Sequence, residues 1–211
     1  MSEVHLPPDE PLPRASLQDS LAATLASRIC HDLTSPLGAI ANGVELLALS
    51  GAQRSPEMDL IAESVESANA RIRFFRLAYG GAGGQPVGRA EVLRTLAALG
   101  RGGRTSYEWR PEGDHPRIEV KAVFLLLQCL ESALPLGGRL QVSRQDRGWT
   151  VCAEGPRLRT DLPAWKALDG TGQWLLEGSA VVQFTLLAGV LADLDRPLTL
   201  LEGPDRIEAR F

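Results

Sequence analysis

Hydrophobic positions recur at spacings of three and four through the first quarter of the chain. Leu17, Leu21, Leu25, Ile29, Leu33, Leu37, Ile40, Val44 and Leu47 share one face of a 3.6-residue helix. The pattern predicts a long helix ending near Ser50-Gly51. Ser16, with Asp19 three residues on, gives that helix a capping-box start. Pro56 suits the first turn of a second helix, whose stripe Ile61, Val65, Ala68, Ile72, Phe75 and Tyr79 alternates steps of four and three. Together they predict a helical hairpin over residues 16–80. Two helices cannot bury all of this apolar surface alone, so two hairpins are expected to join as a dimeric four-helix bundle.

The pattern breaks at Gly80-Gly81-Ala82-Gly83-Gly84, which reads as a flexible linker and domain boundary. Beyond it the periods mix. Residues 89–99, 119–134 and 179–192 read as helices, and 105–110, 139–144 and 148–153 as strands. Segments 197–202 and 206–211 read as a closing hairpin. The expected fold class is α+β, a helical hairpin followed by an α/β sandwich over residues 86–211, with several antiparallel strand signals. Gly137-Gly138 reads as a turn between helix and strand. Gly170, Gly172 and Gly178 read as loop residues, and Trp109, Trp149, Trp165 and Trp174 as core or core-edge packing. Residues 1–15 are proline-rich without apolar periodicity and read as a flexible arm.

Composition narrows the function classes. At 44% hydrophobic residues the chain can form a core, and a net charge of −4 gives no basic excess for nucleic acid. Cys30, Cys129 and Cys152 are widely spaced in apolar stretches, as expected of reduced, buried thiols and not of a metal site. There is neither a leader pattern nor an apolar run of membrane-spanning length. A soluble, cytoplasmic protein is expected.

Of the three histidines, His5 lies in the arm and His115 sits between Asp114 and Pro116, in an expected turn. His31 alone falls on a long helix. On the helical wheel its neighbours are Ser27, Thr24, Arg28, Ser35, Gly38 and Asn42, roughly opposite the apolar stripe, so the ring is expected to face solvent. An exposed imidazole offers a free nitrogen at neutral pH and is a usable nucleophile. Asp32 can accept from Nδ1–H and leave Nε2 free to attack phosphorus, although neighbouring residues do not face each other on a regular helix. Ser35, one turn on, can hold a water or a phosphoryl oxygen. Gly38 leaves room for a docking partner. A bare His-Asp pair is commonly just a solvated polar pair. A proline five residues later, in mid-helix, costs about 3 kcal/mol and sets this pair apart.

The run Cys30-His31-Asp32-Leu33-Thr34-Ser35-Pro36-Leu37-Gly38-Ala39-Ile40 resembles the phosphoacceptor box of sensor histidine kinases. It resembles more closely that of the ChpT-type histidine phosphotransferases of alphaproteobacteria. The resemblance implies a phosphorelay: His31 as phosphoacceptor, receiver domains of hybrid kinases and response regulators as partners, and Mg²⁺ supplied by the receiver's acidic cluster. No cofactor is expected in this chain. Residues 86–211 resemble in layout a kinase ATP-binding domain of the Bergerat type whose boxes have degenerated. Gln128 and Ser132 stand where asparagines would hold Mg²⁺. Glu154-Gly155-Pro156 lacks a second glycine, and Gly178-Ser179-Ala180-Val181-Val182 lacks a phosphate-cradling cluster. No autokinase activity is expected. Arg28, Gly38 and Asn42 are candidate receiver contacts. Counting about 18 residues, or about 27 Å at 1.5 Å per residue, along an antiparallel second helix adds Arg71 and Arg73, which could steer an acidic receiver. The alternative reading is a non-catalytic dimeric adaptor that sequesters kinases or response regulators.

Overall fold

The structure, a computed structural model, describes residues 14–50, 55–161, 163–168 and 181–211. The arm expected at the N-terminus lies outside these residues except for its last two positions. Gly170, Gly172, Trp174 and the expected lid residues Gly178, Ser179 and Ala180 also lie outside them.

Helix α1 spans Arg14–Leu49 and α2 spans Pro56–Tyr79. The first begins before Ser16, which therefore lies within the helix and is not its cap. The second opens on Ser55, whose hydroxyl accepts from the Met58 amide at 3.4 Å, with Pro56 in the first turn. The two helices run antiparallel: the Cys30 thiol donates to the Ile72 carbonyl, while Val44 and Ala48 share a cleft with Met58 and Val65.

The single apolar face expected on α1 divides in two. Cys30, Leu37, Ala41 and Val44 are buried or half-buried. Leu25, Ile29, Leu33, Ile40 and Leu47 remain 47–57% exposed. The first set faces α2, and the second forms an uncovered stripe along α1.

The second half begins where α2 ends. Helices α3 (Arg89–Gly100), α4 (Arg117–Ser132), α5 (Pro163–Leu168) and α6 (Val182–Asp193) accompany strands β1 (Thr105–Trp109), β2 (Gly138–Gln145), β3 (Gly148–Glu154), β4 (Thr199–Glu202) and β5 (Arg206–Arg210). The fold is α+β, with one mixed sheet in the order β1-β2-β3-β5-β4. β1 pairs parallel to β2, with Tyr107 opposite Leu140. The other neighbours are antiparallel, with Val151 facing both Val142 and Ala209. The parallel pair follows from the α4 crossover that joins β1 to β2. α5, too short to show a period, is an addition to the expected elements.

Helix α4 packs against β2 and β3, and also against α2 and α6. Val120 and Ala122–Leu127 are fully or almost fully buried, so this helix is the centre of the core. The end of α2 joins that core through Phe74, Leu77 and Ala78, with the Phe74 and Phe124 rings 5.0 Å apart. The expected flexible joint is therefore packed at its first residue. Gly80 is buried, and its carbonyl accepts from Lys121 Nζ at 2.8 Å. A Cβ there would lie 2.3 Å from the Arg76 carbonyl oxygen.

Candidate functional site

His31 projects from the middle of α1 with 83% of its side chain exposed. Its Nδ1 lies 3.2 Å from Asp32 Oδ1, so the ring turns along the helix to meet its sequence neighbour. Arg28, one turn earlier, donates from Nε to the other Asp32 oxygen at 2.7 Å. These two contacts, Arg28 first and His31 second, hold the Asp32 carboxyl below the usual carboxylate range. An ionised Asp32 can only accept, so in the neutral ring this contact favours the proton on Nδ1 and the lone pair on Nε2.

Thr34 Oγ1 donates to the Cys30 carbonyl at 2.7 Å, and Pro36 lies inside the same helix. Without an N–H, Pro36 leaves the Asp32 carbonyl free of its helical partner. The backbone beneath the histidine is thus set by one extra bond and one missing bond.

Ser35 and Asn42 are exposed on α1. A Cβ on Gly38 would meet nothing within 4 Å. Of the two arginines expected from α2, Arg73 lines a groove of about 470 Å³ together with Ser27, Cys30, His31 and Thr34. Arg71 lies toward Tyr107 of β1, where its charge opposes the upward shift that burial imposes on the phenol. The same groove carries Asn69 and Arg76, which sequence counting missed. Their spacing of four and three around Arg73 is the signal that could have found them.

Other polar positions have structural duties. Gln128 Oε1 accepts from the Tyr79 hydroxyl at 2.6 Å, Ser132 Oγ donates to the Cys129 carbonyl at 2.6 Å, and Glu154 pairs with Arg206 at 3.5 Å. A Cβ on Gly155 would lie 2.6 Å from Leu134 Cδ2. His115 does not sit in the expected turn but pairs through its backbone with Val87 in an isolated antiparallel bridge, and it is 4% exposed, with its ring 4.9 Å from that of Trp149. Trp109, Trp149 and Trp165 are buried, as expected. The three cysteines are free and buried, and burial pushes each thiol upward. Among the described residues no group of three or more His, Cys, Asp or Glu side chains gathers as for a metal ion. None of the described helices is long and apolar enough to cross a membrane.

A family model described as the histidine phosphotransferase C-terminal domain matches residues 89–206. Protein phosphotransferase ChpT of Brucella abortus (strain 2308) is 36% identical over 148 residues, covering 66% of this chain and 69% of that protein. A solved structure described as a bacterial phosphotransferase superposes with a TM-score of 0.67 at 24% identity, covering 95% of this chain and 98% of the other. At that identity the superposition speaks for the fold.

Proposed function

The chain belongs to the histidine phosphotransferase family, and from that membership we propose that His31 relays a phosphoryl group between receiver-domain aspartates. The observation that carries this reading is the exposed ring whose Nδ1 faces an ionised Asp32. Nε2 attacks the phosphorus of an aspartyl phosphate. The N–P bond forms as the acyl P–O bond breaks, and the aspartate leaves as a carboxylate with the bonding pair. The ring, now phosphorylated on Nε2 and still carrying Nδ1–H, bears a positive charge opposite Asp32. In the second step a receiver carboxylate attacks the same phosphorus, and the neutral imidazole leaves. Asp32 orients the ring and offsets the transient charge in both directions, so flux follows the partners' relative phosphorylation.

Transfer of this kind asks for positioning and charge stabilisation more than for covalent work by the protein. Ser35, Gly38 and Asn42 lie along α1 within reach of a docked partner, and Arg28, already bound to Asp32, would act through that carboxylate. A divalent cation held by the receiver would offset phosphoryl charge when bound.

The uncovered stripe Leu25, Ile29, Leu33, Ile40 and Leu47 supports a homodimer in which two α1–α2 hairpins close a four-helix bundle. The half beyond α2 is read as a Bergerat-like domain that no longer uses ATP, because the residues at its box positions are spent on internal bonds. Family membership and the free Nε2 favour transfer over the adaptor reading. The test is to mix the chain with a receiver carrying labelled aspartyl phosphate. Label should move to the parent chain and not to His31→Ala. Equal labelling of both would remove the proposal.

A further inference from the structure

The groove beside His31 has an unusual charge content. One wall is Ser27, Cys30, His31 and Thr34 of α1, and the other is Asn69, Ile72, Arg73 and Arg76 of α2. Two guanidinium groups and an amide line it, and none of its lining residues is a carboxylate. Its base is neutral, since burial keeps the Cys30 thiol protonated and that thiol donates to the Ile72 carbonyl. Arg73 is half-buried and has no ion pair among the described residues. Arg76 does have one: its guanidinium meets Glu91 Oε1 of α3 at 2.9 Å. Glu91 stands outside this groove and lines the next, which Arg73, Arg76, Arg94 and Arg101 share. Glu91 thus links the second half of the chain to the histidine groove through Arg76.

Such a groove matches a tetrahedral dianion attached to the adjacent ring. Arginine forks and an amide N–H₂ are the donors that phosphoryl oxygens take best. We propose that the groove is the holding site for the phosphoryl group on His31, with Arg73, Arg76 and Asn69 binding its non-bridging oxygens and Glu91 positioning Arg76. The inference rests on the phosphorelay reading above and adds to it three binding residues and one positioning residue. It also gives the second half of the chain a part in the chemistry: Glu91 of α3 holds the Arg76 guanidinium, which is shared between Glu91 and the phosphoryl oxygens.

Transfer rates mix docking with chemistry, so the informative quantity is the equilibrium division of label between receiver and His31. At concentrations well below that of complex formation, this ratio reports only the relative stability of the two phosphoryl linkages. Arg73→Gln and Arg76→Gln are each expected to shift the ratio about tenfold toward the receiver, equivalent to about 1.4 kcal/mol. Arg76→Lys should recover part of the loss. Glu91→Gln should shift the ratio by about threefold in the parent chain and not at all in the Arg76→Gln background, as required of a residue acting through Arg76. Thermal unfolding of each variant, expected to match the parent, separates these shifts from a loss of fold. If label still reaches His31 but the ratio is unchanged in both arginine variants, the holding site is wrong and the relay stands. An unchanged ratio in Glu91→Gln alone, or an equal shift in both backgrounds, would overturn the positioning role. Failure of label to reach His31 in the parent chain would overturn the relay itself.

Discussion

Tyr79, the last residue of α2, donates its hydroxyl to Gln128, a little over one turn from the end of α4, at 2.6 Å. The bond joins the hairpin to the central helix of the second half, about two turns along α4 from Lys121, which donates to the Gly80 carbonyl. Burial and this partner act in opposite directions on the phenol, and burial dominates, holding it above its ordinary value. Tyr79→Phe keeps the ring and leaves the half-buried Gln128 without its donor. A loss of about 1–2 kcal/mol is expected, read as a lower urea midpoint with an unchanged slope.

The same bond bears on nucleotide binding. An ATP site of the Bergerat type needs donors and acceptors that are free to meet Mg²⁺ and adenine. Here Gln128, Ser132 and Glu154 already have partners. Losing several contacts at about 1–3 kcal/mol each moves a micromolar site beyond millimolar. Calorimetry with Mg-ATP should show no saturable binding below millimolar concentration. A micromolar dissociation constant would contradict the degenerate-domain reading.

His115 makes folding sensitive to acid. Burial against Trp109 and Trp149 lowers its proton affinity, and the Arg144 guanidinium lowers it further, while Glu119 and Asp114 oppose them. The folded pKa is depressed, so below the ordinary imidazole value of about 6.5 the unfolded chain binds more protons. Stability should therefore fall as pH drops from 7 toward 5. His115→Gln is expected to flatten that limb of a urea-midpoint profile. An unchanged slope would assign the acid sensitivity to other groups.

Much of this was legible in the chain itself. The spacing from Leu25 to Leu47 announced α1, and Pro36, five residues beyond His31, singled out the candidate site on it. What periodicity could not show was how the apolar residues would be shared. Cys30, Leu37, Ala41 and Val44 serve α2, while the stripe beside them stays open, and a helical wheel averages the two. His115 was expected in a turn, and its buried place against Trp149 was not legible because its partners are distant in sequence. Glu119 is buried, bound by Trp149 at 2.8 Å, Arg144 at 3.1 Å and Arg196 at 3.2 Å. Spacing along α2 could have placed Arg76 beside Arg73, whereas its ion pair with Glu91 of α3 joins residues that local spacing does not relate.

The open stripe gives a direct oligomer test. Ile40→Glu and Leu47→Glu put a charge where two hairpins would meet, about two and a half turns or more from His31, without disturbing the α1–α2 contact. Each should raise the dimer dissociation constant at least tenfold, about 1.4 kcal/mol, read as a shift toward monomer in sedimentation. A parent chain that is monomeric at every concentration would contradict the bundle.

The central claim is tested most directly by locating the phosphoryl group. The chain is exposed to a receiver carrying aspartyl phosphate, digested under alkaline conditions that preserve phosphohistidine, and mapped by mass spectrometry. The phosphoryl group should lie on the peptide containing His31. Asp32→Asn should reach the same product about 10–100-fold more slowly. A chain that remains unmodified, or carries the phosphoryl group on any residue but His31, would contradict the account.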